Sequence, residues 1–107
     1  METTIRVDSA VTTLVSVFTV EPDNQPKVLA LLHEGIETMF SKMPGWISTN
    51  LLKCREGRQV IVYSQWRDAK DIDAFRQDPR MQPYFQRFGA LAKLEAFICD
   101  VSYTSHR

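Results

Sequence analysis

The stretch Val60 to Trp66, Val-Ile-Val-Tyr-Ser-Gln-Trp, constrains the fold of this chain more than any other. Its β-branched and aromatic residues suit the pleated, half-buried surface of a strand. Just before it, Arg55-Glu56-Gly57-Arg58 is a tight polar connection, and Trp46 to Cys54 is another extended run. Two runs joined this closely pair antiparallel, because a parallel crossover needs a dozen or more residues. The predicted unit is a β-hairpin in which the later strand covers Gln59 to Arg67.

The remaining elements fall on either side. Val11 to Val20, dominated by Val, Thr, Leu and Phe, reads as the first strand. Glu21-Pro22-Asp23-Asn24-Gln25-Pro26 stops it and opens a helix, with Asp23 or Asn24 as the capping acceptor and Pro26 in the first turn. Leu29, Leu32, Ile36, Met39 and Met43 recur at helical spacing, which predicts an inward stripe on a helix running to about Lys42 and stopped by Met43-Pro44-Gly45. Asp68 with Asp71 predicts a capped second helix that turns Ile72 and Phe75 inward and breaks at Asp78-Pro79. A further helical stretch from near Arg80 carries Met81, Tyr84, Phe85 and Phe88; Gly89 to Lys93 reads as a connection and Leu94 to Tyr103 as the last strand.

The order β-α-β-β-α-β predicts an α+β, ferredoxin-like domain with one antiparallel sheet covered on one face by helices. With 107 residues, 44% of them hydrophobic, the chain is long enough for one real core. A single domain over 11–104 is expected, preceded by a flexible N-terminal segment over 1–10.

Composition narrows the function. Thirteen Lys and Arg balance thirteen Asp and Glu, so the basic footprint of a nucleic-acid binder is missing. No run approaches the roughly 18 apolar residues of a membrane span, and Met-Glu-Thr-Thr-Ile-Arg-Val-Asp lacks the pattern of a secretory signal, so a soluble cytoplasmic protein without membrane contacts is expected. Cys54 and Cys99 form no C-x-x-C unit, and no metal is implied. Nucleotide-loop, zinc-protease and nucleophile-elbow patterns are absent.

Several strands are apolar on both sides. In strand three, Val60, Val62, Ser64 and Trp66 point one way and Ile61, Tyr63 and Gln65 the other; in strand one, Val15 and Val17 oppose Leu14 and Phe18. Helices on one face leave the other uncovered, and a symmetric homodimer packed sheet on sheet is the simplest way to bury it. An ordinary monomer with a few exposed apolar residues is the plainer alternative.

Strand-ending Phe18-Thr19-Val20 with Pro22, the turn Met43-Pro44-Gly45-Trp46, and above all Tyr63-Ser64-Gln65-Trp66 followed by an acidic helix start resemble the antibiotic biosynthesis monooxygenase family. The likeness spans Val11 to about Tyr103. It implies a dimeric α+β barrel and cofactor-independent oxidation of a small phenolic, quinol or polyketide-type aromatic by dioxygen, with no cofactor required. The chain departs from the pattern where polyketide-oxidising members carry an asparagine four residues before the tryptophan and a tyrosine six after it; here these are Val62 and Ile72. The asparagine and histidine of haem-degrading members are missing too. A non-catalytic dimeric ligand-binding or accessory protein of the same fold is the alternative.

Candidate site residues follow from the inward faces. Trp66 could stack on a ligand or simply fill the core, and His33, beside the stripe of helix one, could serve as a base or be an idle flank histidine. These two are the catalytic candidates. Val60, Val62, Phe40, Ile72 and Tyr84 are the expected substrate-binding lining, an apolar and aromatic make-up usual for a small-molecule pocket. Tyr63 and Gln65, on the opposite face, are expected at the dimer contact.

Overall fold

The hairpin forms as its sequence predicts: in the computed structural model, which describes residues 2–107, β2 (Trp46–Lys53) pairs antiparallel with β3 (Gln59–Trp66). Gly57 closes the turn at φ +84°, a conformation that glycine adopts without steric cost. A register shift between Trp46 and Ser48 marks a bulge, and it leaves both Trp46 and Trp66 on the same face. The remaining strands are β1 (Thr12–Val20) and β4 (Ala92–Cys99), the helices α1 (Gln25–Thr38), α2 (Ala69–Gln77) and α3 (Gln82–Leu91). The sheet order is β2-β3-β1-β4, antiparallel throughout, with all three helices on one face, which is a ferredoxin-like α+β fold.

Strand alternation sorts the residues as expected. Leu14, Phe18, Val60, Val62 and Trp66 are buried beneath the helices, together with Val28, Leu32, Ile72, Phe75, Met81 and Phe88. Asp68 caps α2 by accepting the Asp71 backbone N–H at 3.0 Å, and Arg67 then grips the Asp71 carboxylate through two nitrogens at 2.8 Å each. The Arg67 bond holds the Asp71 carboxyl below its ordinary range.

Four sequence expectations need correction, the first being the side-chain cap on helix one: Asn24 stands at that position without capping it and donates its amide to the Leu91 carbonyl instead. Helix one ends at Thr38 rather than near Lys42, because Met39 leaves the helical region (φ −139°, ψ −56°) and Phe40–Lys42 form a separate 3₁₀ turn. Its buried stripe is Val28, Leu31, Leu32 and Gly35, rotated from the predicted Leu29, Leu32 and Ile36. Gly35 packs directly on the Phe40 ring: a Cβ there would collide with it, so the bare backbone leaves room for Phe40 under the helix. Finally, α3 continues through Gly89 to Leu91, and β4 starts at Ala92 instead of Leu94 and ends at Cys99. Its bounds follow its partner, since Val20 pairs with Ala92 and Thr13 with Cys99.

Residues 2 to 11 hold no helix or strand, yet they touch the outer side of the sheet. The Gln65 amide donates to the Thr4 carbonyl at 2.7 Å, and the Thr3 hydroxyl donates to the Asn50 side chain at 2.6 Å.

Candidate functional site

Between the inner face of the sheet and the helices lies a cavity of about 330 Å³. Its floor comes from alternate residues of every strand: Leu14, Ser16 and Phe18 of β1, Thr49 of β2, Val62, Ser64 and Trp66 of β3, and Leu94 and Ala96 of β4. The helical layer supplies Leu32, Phe40, Phe75, Arg76, Met81, Phe85 and Phe88. The walls are aromatic and interlocked. Trp66 lies 4.9 Å from Phe75 between ring centroids, Phe75 meets Phe40 edge-on at 5.2 Å, and Phe18 meets Phe88 at 5.0 Å.

Polar groups are few and unevenly engaged. The Trp66 indole N–H donates to Ser64 Oγ at 3.1 Å, and that hydroxyl donates in turn to the Leu14 carbonyl at 3.2 Å, so the pair is satisfied within the floor. The Trp46 indole donates to Thr49 Oγ1 at 2.8 Å, leaving the threonine proton free. Among the described residues the lining holds no carboxylate, imidazole, thiol or amine; Arg76 is its charged member.

The residues expected from sequence divide into four groups. Trp66, Val62 and Phe40 line the cavity together. Val60 and Ile72 are fully buried in the surrounding core without reaching it. Tyr84 stands behind the wall, its ring 5.2 Å from Phe40 and its hydroxyl 3.0 Å from Thr38 Oγ1. His33 does not reach the cavity: its side chain is 74% exposed and lies 3.8 Å from Glu37 on the solvent side of α1, a result of the rotated stripe. The base expected at that position lies outside the cavity lining.

Ser16, Thr49 and Arg76 are polar lining groups not anticipated from the sequence. Alternation does mark Ser16, two residues from both Leu14 and Phe18, and helical spacing marks Arg76, four residues after the inward Ile72.

Residues 12–88 match the family described as antibiotic biosynthesis monooxygenase. The chain belongs to the antibiotic biosynthesis monooxygenase family. Within it, the chain is 35% identical over 92 residues to the tetracenomycin-F1 monooxygenase of Streptomyces glaucescens, an alignment covering 86% of this chain and 82% of that protein. The fold also matches two solved Streptomyces structures. A monooxygenase from ActVA-Orf6 of Streptomyces coelicolor, determined with nanaomycin D, superposes with a TM-score of 0.82 at 21% identity, covering 92% of this chain and 93% of that one. SnoaB from Streptomyces nogalater, a cofactor-independent oxygenase, gives 0.75 at 22% identity over 90% of this chain and 97% of that one.

Proposed function

We propose that this protein is a cofactor-independent monooxygenase that oxidises a small, flat phenolic, quinol or polyketide-type aromatic with dioxygen, acting as a homodimer in the cytoplasm. The observation that carries this reading is the aromatic cavity with Trp66 in its wall, in a chain 35% identical to tetracenomycin-F1 monooxygenase. Trp66, Val62 and Phe40 form the binding surface, and Phe75 and Phe88 complete a slot suited to fused rings.

The chemistry such a site performs is modest and specific. An anthrone-type methylene illustrates the balance: the carbon loses both hydrogens, one atom of dioxygen becomes its new carbonyl oxygen, and the other leaves with those hydrogens as water. The substrate itself supplies every electron, so the reaction needs no separate reductant. The protein orients the ring for attack and excludes bulk water around the anion formed when the first proton leaves. With no carboxylate or imidazole in the lining among the described residues, that proton passes to solvent water at the cavity mouth, and the step relies on the acidity of the substrate.

The outer face of the sheet supports the dimer. Phe97 is 50% exposed and Leu52 48%, while the Tyr63 hydroxyl and Thr13 Oγ1 are buried without a hydrogen-bond partner among the described residues. A second copy packed against this face would cover these apolar groups.

One observation favours the non-catalytic alternative: Val62, where polyketide-oxidising members carry asparagine, lies directly on the cavity wall and offers no hydrogen bond. Oxygen uptake by metal-free protein on a panel of anthrones and hydroquinones separates the two. The expected result is uptake above buffer, with one labelled oxygen atom appearing in product; buffer rates on every substrate would leave only a binding protein.

A further inference from the structure

The helical layer carries its arginines in pairs, with one exception. Arg67 meets Asp71 at 2.8 Å, Arg80 meets Asp78 at 2.8 Å and Arg87 meets Glu34 at 3.0 Å. Arg76, in the last turn of α2, has no ion pair and no hydrogen bond among the described residues, although Asp73 lies one helical turn before it. It is also the arginine that borders the cavity, and it is half-buried there. A guanidinium holds its charge at any working pH, and one left unpaired against an apolar wall favours an anion over a neutral group.

We propose that Arg76 is the anion-recognising residue of this cavity and that the ligand is a fused aromatic bearing an ionised oxygen. The proposal rests on the monooxygenase reading for the ligand's aromatic character, and adds its charge. Three features of the lining agree. The rings of Trp66, Phe75 and Phe88 select a flat apolar body. The hydroxyls of Ser16 and Thr49 offer neutral hydrogen bonds from the floor. No carboxylate in the lining competes for the guanidinium, so the ligand supplies the counter-charge. Arg76 thereby lowers the pKa of the ligand's ring hydroxyl, which is what a site without its own base requires. Its role is to bind and to hold the anion, and a bidentate guanidinium also fixes the ring's orientation.

The test is binding of alizarin, an acidic hydroxyanthraquinone whose colour reports its ionisation, in metal-free buffer with a chelator. In the wild-type protein the apparent pKa of bound alizarin falls by about one unit or more relative to free dye, as expected for an opposite charge in contact. Arg76→Gln removes that shift, and Arg76→Lys keeps part of it. The neutral ring 2-anthracenemethanol, followed by quenching of tryptophan emission, binds wild type and Arg76→Gln within about twofold of each other, which controls for folding and cavity shape. An unshifted or raised dye pKa in wild type overturns the proposal, as does an equal shift in Arg76→Gln or failure of both probes to bind. Oxygen uptake is scored separately: a lowered dye pKa with no uptake on any substrate sinks the oxygenase reading and leaves the anion site standing.

Discussion

The two faces of this sheet are built from the same strands and reach opposite outcomes. On the inner face Phe18 is 3% exposed and every hydroxyl near Trp66 has a partner or opens into the cavity; on the outer face Phe97 is 50% exposed and the Tyr63 hydroxyl has none. Alternation along a strand cannot by itself make one side dry, because it only distributes side chains. What differs is the cover. Phe40 packs against Gly35 under α1, and the clamps Arg67–Asp71 and Arg80–Asp78 secure the ends of α2, whereas the outer face is met by the N-terminal segment, with Val101 beside it, and no helix.

The sharpest way to break this contrast is to truncate one phenylalanine on each face. Phe18→Ala removes a ring packed on Phe88 and is expected to cost about 3–5 kcal/mol in denaturant unfolding. Phe97→Ala should cost less than about 1 kcal/mol in dilute protein, with a penalty that grows as concentration rises, since only assembled copies bury that ring. Equal losses at every concentration would mean the faces are not distinct. In the same spirit, Ile61→Lys on the outer face should leave a folded chain whose mass in solution falls to that of one copy.

A smaller effect is expected at the corner where β2, β3 and α2 meet. Gly45 sits at φ +82° with Asp71 packed against its Cα, and its carbonyl accepts the Arg67 backbone N–H at 2.7 Å. Gly45→Ala should therefore destabilise by about 1–3 kcal/mol, more than Gly89→Ala, where a Cβ meets nothing within 4 Å. Thermal melts of the two variants compare them directly.

Smaller still is a pH effect at Asp78. Hydrogen bonds from the Arg80 side chain and backbone hold its carboxyl at about 2, below its ordinary 3.8. A depressed carboxylate adds stability above its unfolded value and loses it as pH falls through the folded one. Asp78→Asn should thus lower Tm slightly at neutral pH, with the difference shrinking between about pH 4 and pH 2. At the bottom of the scale, His33→Ala on the far side of α1 should leave oxygen uptake unchanged; a large loss there would mean that the solvent face takes part in the reaction.

Much of the frame was legible because it depends on neighbours in sequence. The hairpin, the Asp68 cap and the inward set Val60, Val62, Ser64 and Trp66 each follow from local spacing. What escaped depends on neighbours in space. The buried face of α1 includes Gly35, which hydropathy does not score and which packs on a ring five residues later, and His33 lies outside that face. The start of β4 is fixed by pairing with β1, without a turn residue to announce it. The cavity draws on every strand and helix, so its apolar walls could be foreseen from periodicity, but the polar contributions of Ser16, Thr49 and Arg76 could not be ranked until those elements were assembled.

The indole at position 66 has already given its only proton to Ser64, and Ser64 has passed its own to the backbone. That wall therefore gauges thickness and planarity and is blind to how many oxygens decorate a ring or where they sit. Discrimination among differently substituted relatives of one scaffold falls to the remaining sides of the chamber, where Ser16, Thr49 and Arg76 stand.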